Sequence, residues 1–301
     1  MRKSLFARND ACNSRLWVML AVLALCAQCD KGSPLSGGSS LKNQALVVVI
    51  ENNDYLGEDM ETGFMFFRDE VSTVLAEIFG IAVSDMDGMT LTKIIDVYGE
   101  DWQINEIRTR AAPYYARIVS LTDDAATGSA VLDTLDYLSG CGYIIDMVFN
   151  LHGNTTGVSF ADSHYDISAF TDSLNWNGVR LRALYQTCCY GRHMIDEWES
   201  CGISAVNGAH EINGLAMFSP VFFVEHWAAG ATFGGAVSRA FQDEIDTLES
   251  YGDVLPVDAL LSDEVRAGSA QHVGGSDTAL AWADTSMFGT GGLARAGAGI
   301  R

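Results

Sequence analysis

The sequence predicts an α/β fold: a three-layer sandwich with helices on both faces of a mostly parallel central sheet. Three observations carry this. Short apolar runs such as residues 45–50 (ALVVVI) and 143–151 (YIIDMVFNL) alternate with stretches of helical spacing. These runs are apolar almost throughout, as strands buried on both faces are. The 301 residues are 48% hydrophobic and 10% aromatic, enough for a sizeable core and incompatible with a disordered or collagenous chain. Strands that alternate with helices form a parallel sheet, because each crossover helix returns the chain to the same edge.

The first 29 residues read as an export signal. Arg2, Lys3, Arg8 and Arg15 precede an apolar run at 16–27, too short to span a membrane and suited to a signal-peptide core. Cys26 and Cys29 close this run in the manner of a bacterial lipoprotein signal, with Cys29 preferred because a polar linker begins at Asp30. Leu25 and Gln28 precede these cysteines where that signal carries a small residue, so an ordinary secretory signal is the alternative. Residues 30–43, with Gly-Gly-Ser-Ser at 37–40, form a flexible tether. No other apolar stretch reaches transmembrane length, and no repeat of fixed period is present.

The main domain covers residues 44–248. After the first strand at 45–50, residues 60–79 carry a helical face at Phe64, Phe67, Val71, Val74, Leu75 and Ile78. A further helix is expected at 91–97 and a loop at 99–101. A strand follows at 115–121. Residues 129–138 form a helix through Val131, Leu132, Leu135 and Leu138, ended by Gly140 and Gly142. The third strand, 143–151, runs directly into His152-Gly153. A helix at 167–174 leads to a fourth strand at 179–187, which runs directly into Cys188-Cys189. A short helix at 194–199, a strand at 203–206 and helical residues 221–248 complete the domain. Arg180 and Arg182 are unusual inside a buried strand and need acidic partners. Residues 249–301 form an extension with one short helix at 258–265 and a Gly/Ala-rich, disordered end at 289–301.

Ligands of parallel sheets bind beyond the carboxyl ends of the strands. His152 and Cys188 stand at two such ends. A thiol needs a partner that takes its proton or keeps it ionised, and an imidazole does this near neutral pH. Glycine after the histidine leaves its N–H open, so Gly153 and the nucleophile's own amide are suited to holding an oxyanion.

An apolar strand ending in His-Gly, then an apolar strand ending in Gln-x-Cys, resembles the caspase-like cysteine peptidases, the clan that includes legumains, clostripain and gingipains. The opening ALVVVIENNDY at 45–55 looks like the start of bacterial caspase-domain proteins. The likeness runs over roughly residues 44–245. The caspase signature is Q-A-C-[RQG]-G with its histidine about 50 residues upstream. This chain has Gln186-Thr187-Cys188-Cys189-Tyr190-Gly191, with His152 36 residues upstream. Thr187 replaces the alanine, Cys189 takes the next place, and the glycine comes one residue late, as in the legumain pattern. The resemblance implies peptide-bond hydrolysis through a thioester acyl-enzyme, with Cys188 as nucleophile and His152 as general base and acid. Cys188 is preferred to Cys189 because it aligns with Gln186 and leaves the strand first. Gln186 is implied as a wall of the specificity pocket, which His210-Glu211 after the fifth strand also borders. Glu211 or Asp54 is the expected receiver of a basic side chain; a solvated loop charge is the plainer reading.

Other chemistry is disfavoured. The net charge of −21, or −24 without residues 1–29, repels phosphate backbones, so no nucleic-acid partner is expected. Cys189-x3-His193 lacks a second pair at ligand spacing, so no metal is expected, and no other cofactor is needed. No Walker loop or GxGxxG is present. Seven cysteines are too few for a disulfide scaffold of this length. Cys188 and Cys189 joined as a vicinal disulfide would silence the site, and Cys141 and Cys201 read as core thiols at the other edge of the sheet, with pairing to each other as the alternative. The expected partner is a peptide or protein, with the membrane reached only through an N-terminal lipid. The alternative function is a catalytically silent binding or scaffold lipoprotein of the cell envelope.

Overall fold

The computed structural model of the chain describes residues 43–51, 64–65, 68–251 and 261–282. The export signal with Cys26 and Cys29, most of the linker, Asp54 and the 289–301 tail lie outside the described residues. The architecture is α/β. The elements in chain order are β1 (Gln44–Glu51), α1 (Arg68–Phe79), α2 (Leu91–Ile94), α3 (Glu100–Ala111), β2 (Arg117–Thr122), α4 (Gly128–Gly140), β3 (Ile144–Leu151), β4 (Gly157–Ser159), β5 (His164–Asp166), α5 (Ile167–Asn177), β6 (Leu181–Gln186), α6 (Ile195–Ser200), β7 (Ala205–Ala209), α7 (Ser219–Ala228), α8 (Phe233–Ser250), α9 (Asp263–Ser269) and β8 (Gln271–Gly274). Six strands form one sheet in the order β2-β1-β3-β6-β7-β8, and β4 pairs β5 in a small hairpin. All neighbours in the large sheet are parallel except β7 and β8.

The run ALVVVI is apolar throughout because both faces of β1 are covered. Ala45, Val47 and Val49 pack with Val131 and Leu135 of α4 and Phe170 of α5. Leu46, Val48 and Ile50 face the opposite way, among Ile104 and Ile107 of α3, Trp227 of α7 and Phe233 of α8. Each such side chain, fully buried, stabilises the fold by roughly 1.5–3 kcal/mol.

At the amino end of the strands, the fully buried Arg182 pairs with Asp146, its Nε donating at 2.8 Å. The Tyr115 hydroxyl donates to the same carboxylate at 2.7 Å, and Arg182 Nη1 donates to the Trp282 carbonyl at 2.7 Å. The unusual arginine thus has its acid, and it also fastens the chain's later segment under the sheet.

Three elements differ from expectation. The loop expected at 99–101 is helical: a π turn at Ile95–Gly99 runs into α3. Most of α3 is polar, and only Gln103, Ile104, Ile107 and Ala111, with Glu100, are buried, too sparse a stripe to read as amphipathic. The helical stretch at 221–248 is two helices. Gly230 turns the chain at φ 95°, and the Thr232 hydroxyl caps α8 by accepting the Gly235 N–H. The sixth strand, β8, comes from the extension after residue 248 and pairs antiparallel with β7. Among the described residues no helix is long and apolar enough to cross a membrane.

Candidate active site

The exits of β3 and β6 are neighbours. The two strands pair in parallel with Phe149 opposite Gln186, and the Thr187 N–H continues the ladder onto the Phe149 carbonyl at 3.0 Å. Beyond this point the two chains stay in contact. A Cβ placed on Gly153 would lie 2.8 Å from Cys188 Cβ and 3.0 Å from the Cys189 carbonyl oxygen. Only glycine allows so close an approach. Gly153 also forms an isolated bridge with Val158, which turns the histidine loop back toward the β4–β5 hairpin. Among the described residues neither the Gly153 nor the Cys189 N–H donates a hydrogen bond, leaving both open to an oxyanion.

The two cysteines differ sharply. Cys188 is fully buried in the core cluster that holds Leu151, Val158 and Met194. Burial, with the neighbouring Cys189 as a lesser cause, pushes its thiol far above the ordinary range. Cys189 is half-buried, and its Sγ accepts the Asn213 backbone N–H at 3.3 Å. Among the described residues Cys188, Cys189 and Cys201 are free thiols. Cys141 is exposed rather than a core thiol. Cys201 is partly buried, its Sγ donating to the Trp198 carbonyl at 3.0 Å, and burial raises its thiol to about 11.

Immediately after Cys189 the chain bends hard. Tyr190 has φ 57°, in the left-handed region, and its N–H donates to the Glu211 carbonyl at 2.6 Å. Non-glycine residues held there are uncommon and gather at functional sites. Gly208 of β7 makes room for this turn, since a Cβ there would lie 2.1 Å from the Gly191 carbonyl carbon.

Gln186, expected as a pocket wall, is fully buried and clamps β6 to β7. Its Nε2 donates to the Asn207 carbonyl at 2.8 Å, and its N–H to Asn207 Oδ1 at 2.9 Å. Its Oε1 is buried without a partner. His210 and Glu211 stand beside the cysteine turn, at the edge expected of them. His210 Nδ1 meets Arg192 Nη1 at 3.0 Å, and the Glu211 side chain is exposed. Among the described residues no group of three His, Cys, Asp or Glu is placed to hold a metal ion.

Three asparagines escaped the sequence reading. Asn150 Oδ1 accepts the Thr187 hydroxyl at 2.8 Å, locking the β3 and β6 exits together. Asn207 holds Gln186. Asn213 supplies the amide at the Cys189 sulfur and donates through Nδ2 to the Thr187 carbonyl at 2.8 Å. The only signal was Asn213-Gly214, a turn dipeptide just past β7.

No family model and no curated protein matches the chain. Among solved structures it is similar to iotapain, a secreted C11 cysteine protease from Bacteroides thetaiotaomicron, at 9% identity over 69% of each chain with a TM-score of 0.29. So distant a likeness carries no weight for activity, which has to be argued from the residues themselves.

Proposed function

We propose that this protein is an exported cysteine-type peptidase. It hydrolyses peptide bonds with a thiol of the Cys188-Cys189 turn and His152 as general base and acid. One observation carries the reading: the His152-Gly153 exit of β3 lies against the Cys188-Cys189 exit of β6 at the carboxyl edge of the sheet. In the proposed reaction a thiol, the His152 imidazole and the N–H groups of Gly153 and Cys189 act together on a peptide carbonyl. The free N–H groups of Gly153 and the cysteine turn hold the oxyanion, and the thioester formed is hydrolysed by water. This chemistry uses no metal or organic cofactor.

The test is turnover of fluorogenic peptides varied at the residue before the scissile bond. Cleavage that disappears in His152→Ala supports the peptidase. A wild-type protein that cleaves none of them, with thiols no faster than free cysteine, favours the silent scaffold. Preference for a basic residue supports Glu211 or Asp54 as its receiver, and equal cleavage of acidic and basic peptides removes that role. Export and the lipid anchor at Cys29 or Cys26 are read from the intact mass of the mature amino terminus.

A further inference from the structure

We infer that Cys189, rather than Cys188, is the attacking thiol of the proposed peptidase, with His152 as its proton partner. This rests on the peptidase reading and deepens it. Side chains along a strand point alternately to opposite faces. In β3, Met147, Phe149 and Leu151 belong to one core cluster and Val148 to the other. In β6, Leu184 shares the first cluster and Tyr185 the second. The Thr187 hydroxyl meets Asn150 on the second face, and Cys188 falls back into the first cluster beside Leu151. Continued by one step, the same alternation gives His152 and Cys189 the second face. The last register pair is Phe149 opposite Gln186, and His152 and Cys189 each lie three residues beyond it in their own chain segment.

Access decides in the same direction. Cys188 exposes 0% of its surface, so no peptide carbonyl reaches its sulfur without opening the core. Cys189 is half-buried, and its sulfur accepts the Asn213 N–H. Asn213 is itself fixed through Nδ2 to the Thr187 carbonyl, so this donor is held in place before substrate arrives. Cys188 fills the core beneath Gly153, where a larger side chain would push the histidine loop away.

In the step proposed, the Cys189 thiol gives its proton to the His152 imidazole and its sulfur bonds to the carbonyl carbon. The carbon–nitrogen bond then breaks, and the imidazolium returns the proton to the leaving amine. Water next gives a proton to His152 and its hydroxyl to the thioester carbon. The carbon–sulfur bond breaks, and the thiolate recovers the proton.

The experiment is site-resolved alkylation of the wild-type protein with iodoacetamide at neutral pH, read by peptide mass mapping, with exposed Cys141 as internal reference. Expected is adduct on Cys189 ahead of Cys141, a Cys189 rate that falls about 10-fold or more in His152→Ala, and loss of peptide turnover in Cys189→Ala. Adduct on Cys188 ahead of Cys189 in the folded protein overturns the assignment. So does a folded Cys188→Ala that loses turnover while Cys189→Ala keeps it. Either result leaves the peptidase standing with the other cysteine. Equal Cys189 rates in wild type and His152→Ala, with no peptide turnover, overturn the peptidase reading itself.

Discussion

Replacing Asp146 by asparagine tests the frame that sets the register of the two site-bearing strands. Asp146 is 3% exposed and Arg182 0% exposed. The carboxylate accepts from Arg182, the Tyr115 hydroxyl and, at 3.4 Å, Trp227 Nε1. Asparagine keeps the volume but loses the charge and turns an NH2 group toward one of these donors. An uncompensated buried guanidinium costs about 3–5 kcal/mol, a large share of the roughly 5–15 kcal/mol that keeps a domain folded. With a urea slope of about 3 kcal/mol per molar, the midpoint falls by about 1–1.7 M. Urea unfolding followed by tryptophan fluorescence reads this shift. Asp146 lies near the start of β3, six residues before His152 at that strand's exit and about 20 Å away, so turnover per folded molecule stays at the wild-type value. A midpoint that moves by less than about 0.3 M refutes the reasoning, because Arg182 would then reach water or another acceptor.

Gly153→Ala places a methyl 2.8 Å from Cys188 Cβ, and overpacking of this kind costs about 1–3 kcal/mol. The histidine loop has to shift, so peptide turnover is expected to fall about 10-fold or more while a thermal melt still shows a folded protein. Glu244 accepts the N–H groups of Met217, Phe218 and Ser219, with Ser219 at 2.9 Å, and so holds the loop that carries Asn213. Glu244→Gln turns a donor toward these amides and is expected to cost about 1–3 kcal/mol for each one orphaned, read by urea unfolding. Burial keeps the Cys201 thiol protonated up to about 11 in the folded state. Its folded value lies above the unfolded one of about 8.5, so its contribution is complete below that pH and disappears as pH rises toward 11. Cys201→Ala is therefore expected to flatten the alkaline fall in stability between these values, and an unchanged stability–pH curve rejects this account.

Much of the fold was legible in local pattern. β1 and β3 could be read because burial on both faces leaves unbroken apolar runs, and α4 because Val131, Leu135 and Leu138 share one face. The chemistry-bearing exits could be read for the same reason: an apolar run that stops at His152 or Cys188 marks the end of a buried strand. α3 and β8 could not. α3 is stable only because β1 and α7 supply the apolar surface that its few buried residues need. β8 (QHVG) has no pattern of its own and is held by pairing with β7, Val206 opposite Gly274 through Ala209 opposite Gln271.

The sequence by itself determined that a histidine and two adjacent cysteines leave buried strands, since periodicity is a property of neighbouring residues. Only the tertiary structure decided which cysteine meets solvent. A shift of one residue along a strand exchanges its two faces. Whether a given face ends in core or at the surface depends on Gly153, Asn207 and Asn213, which the folded sheet brings to that edge from three separate stretches of chain.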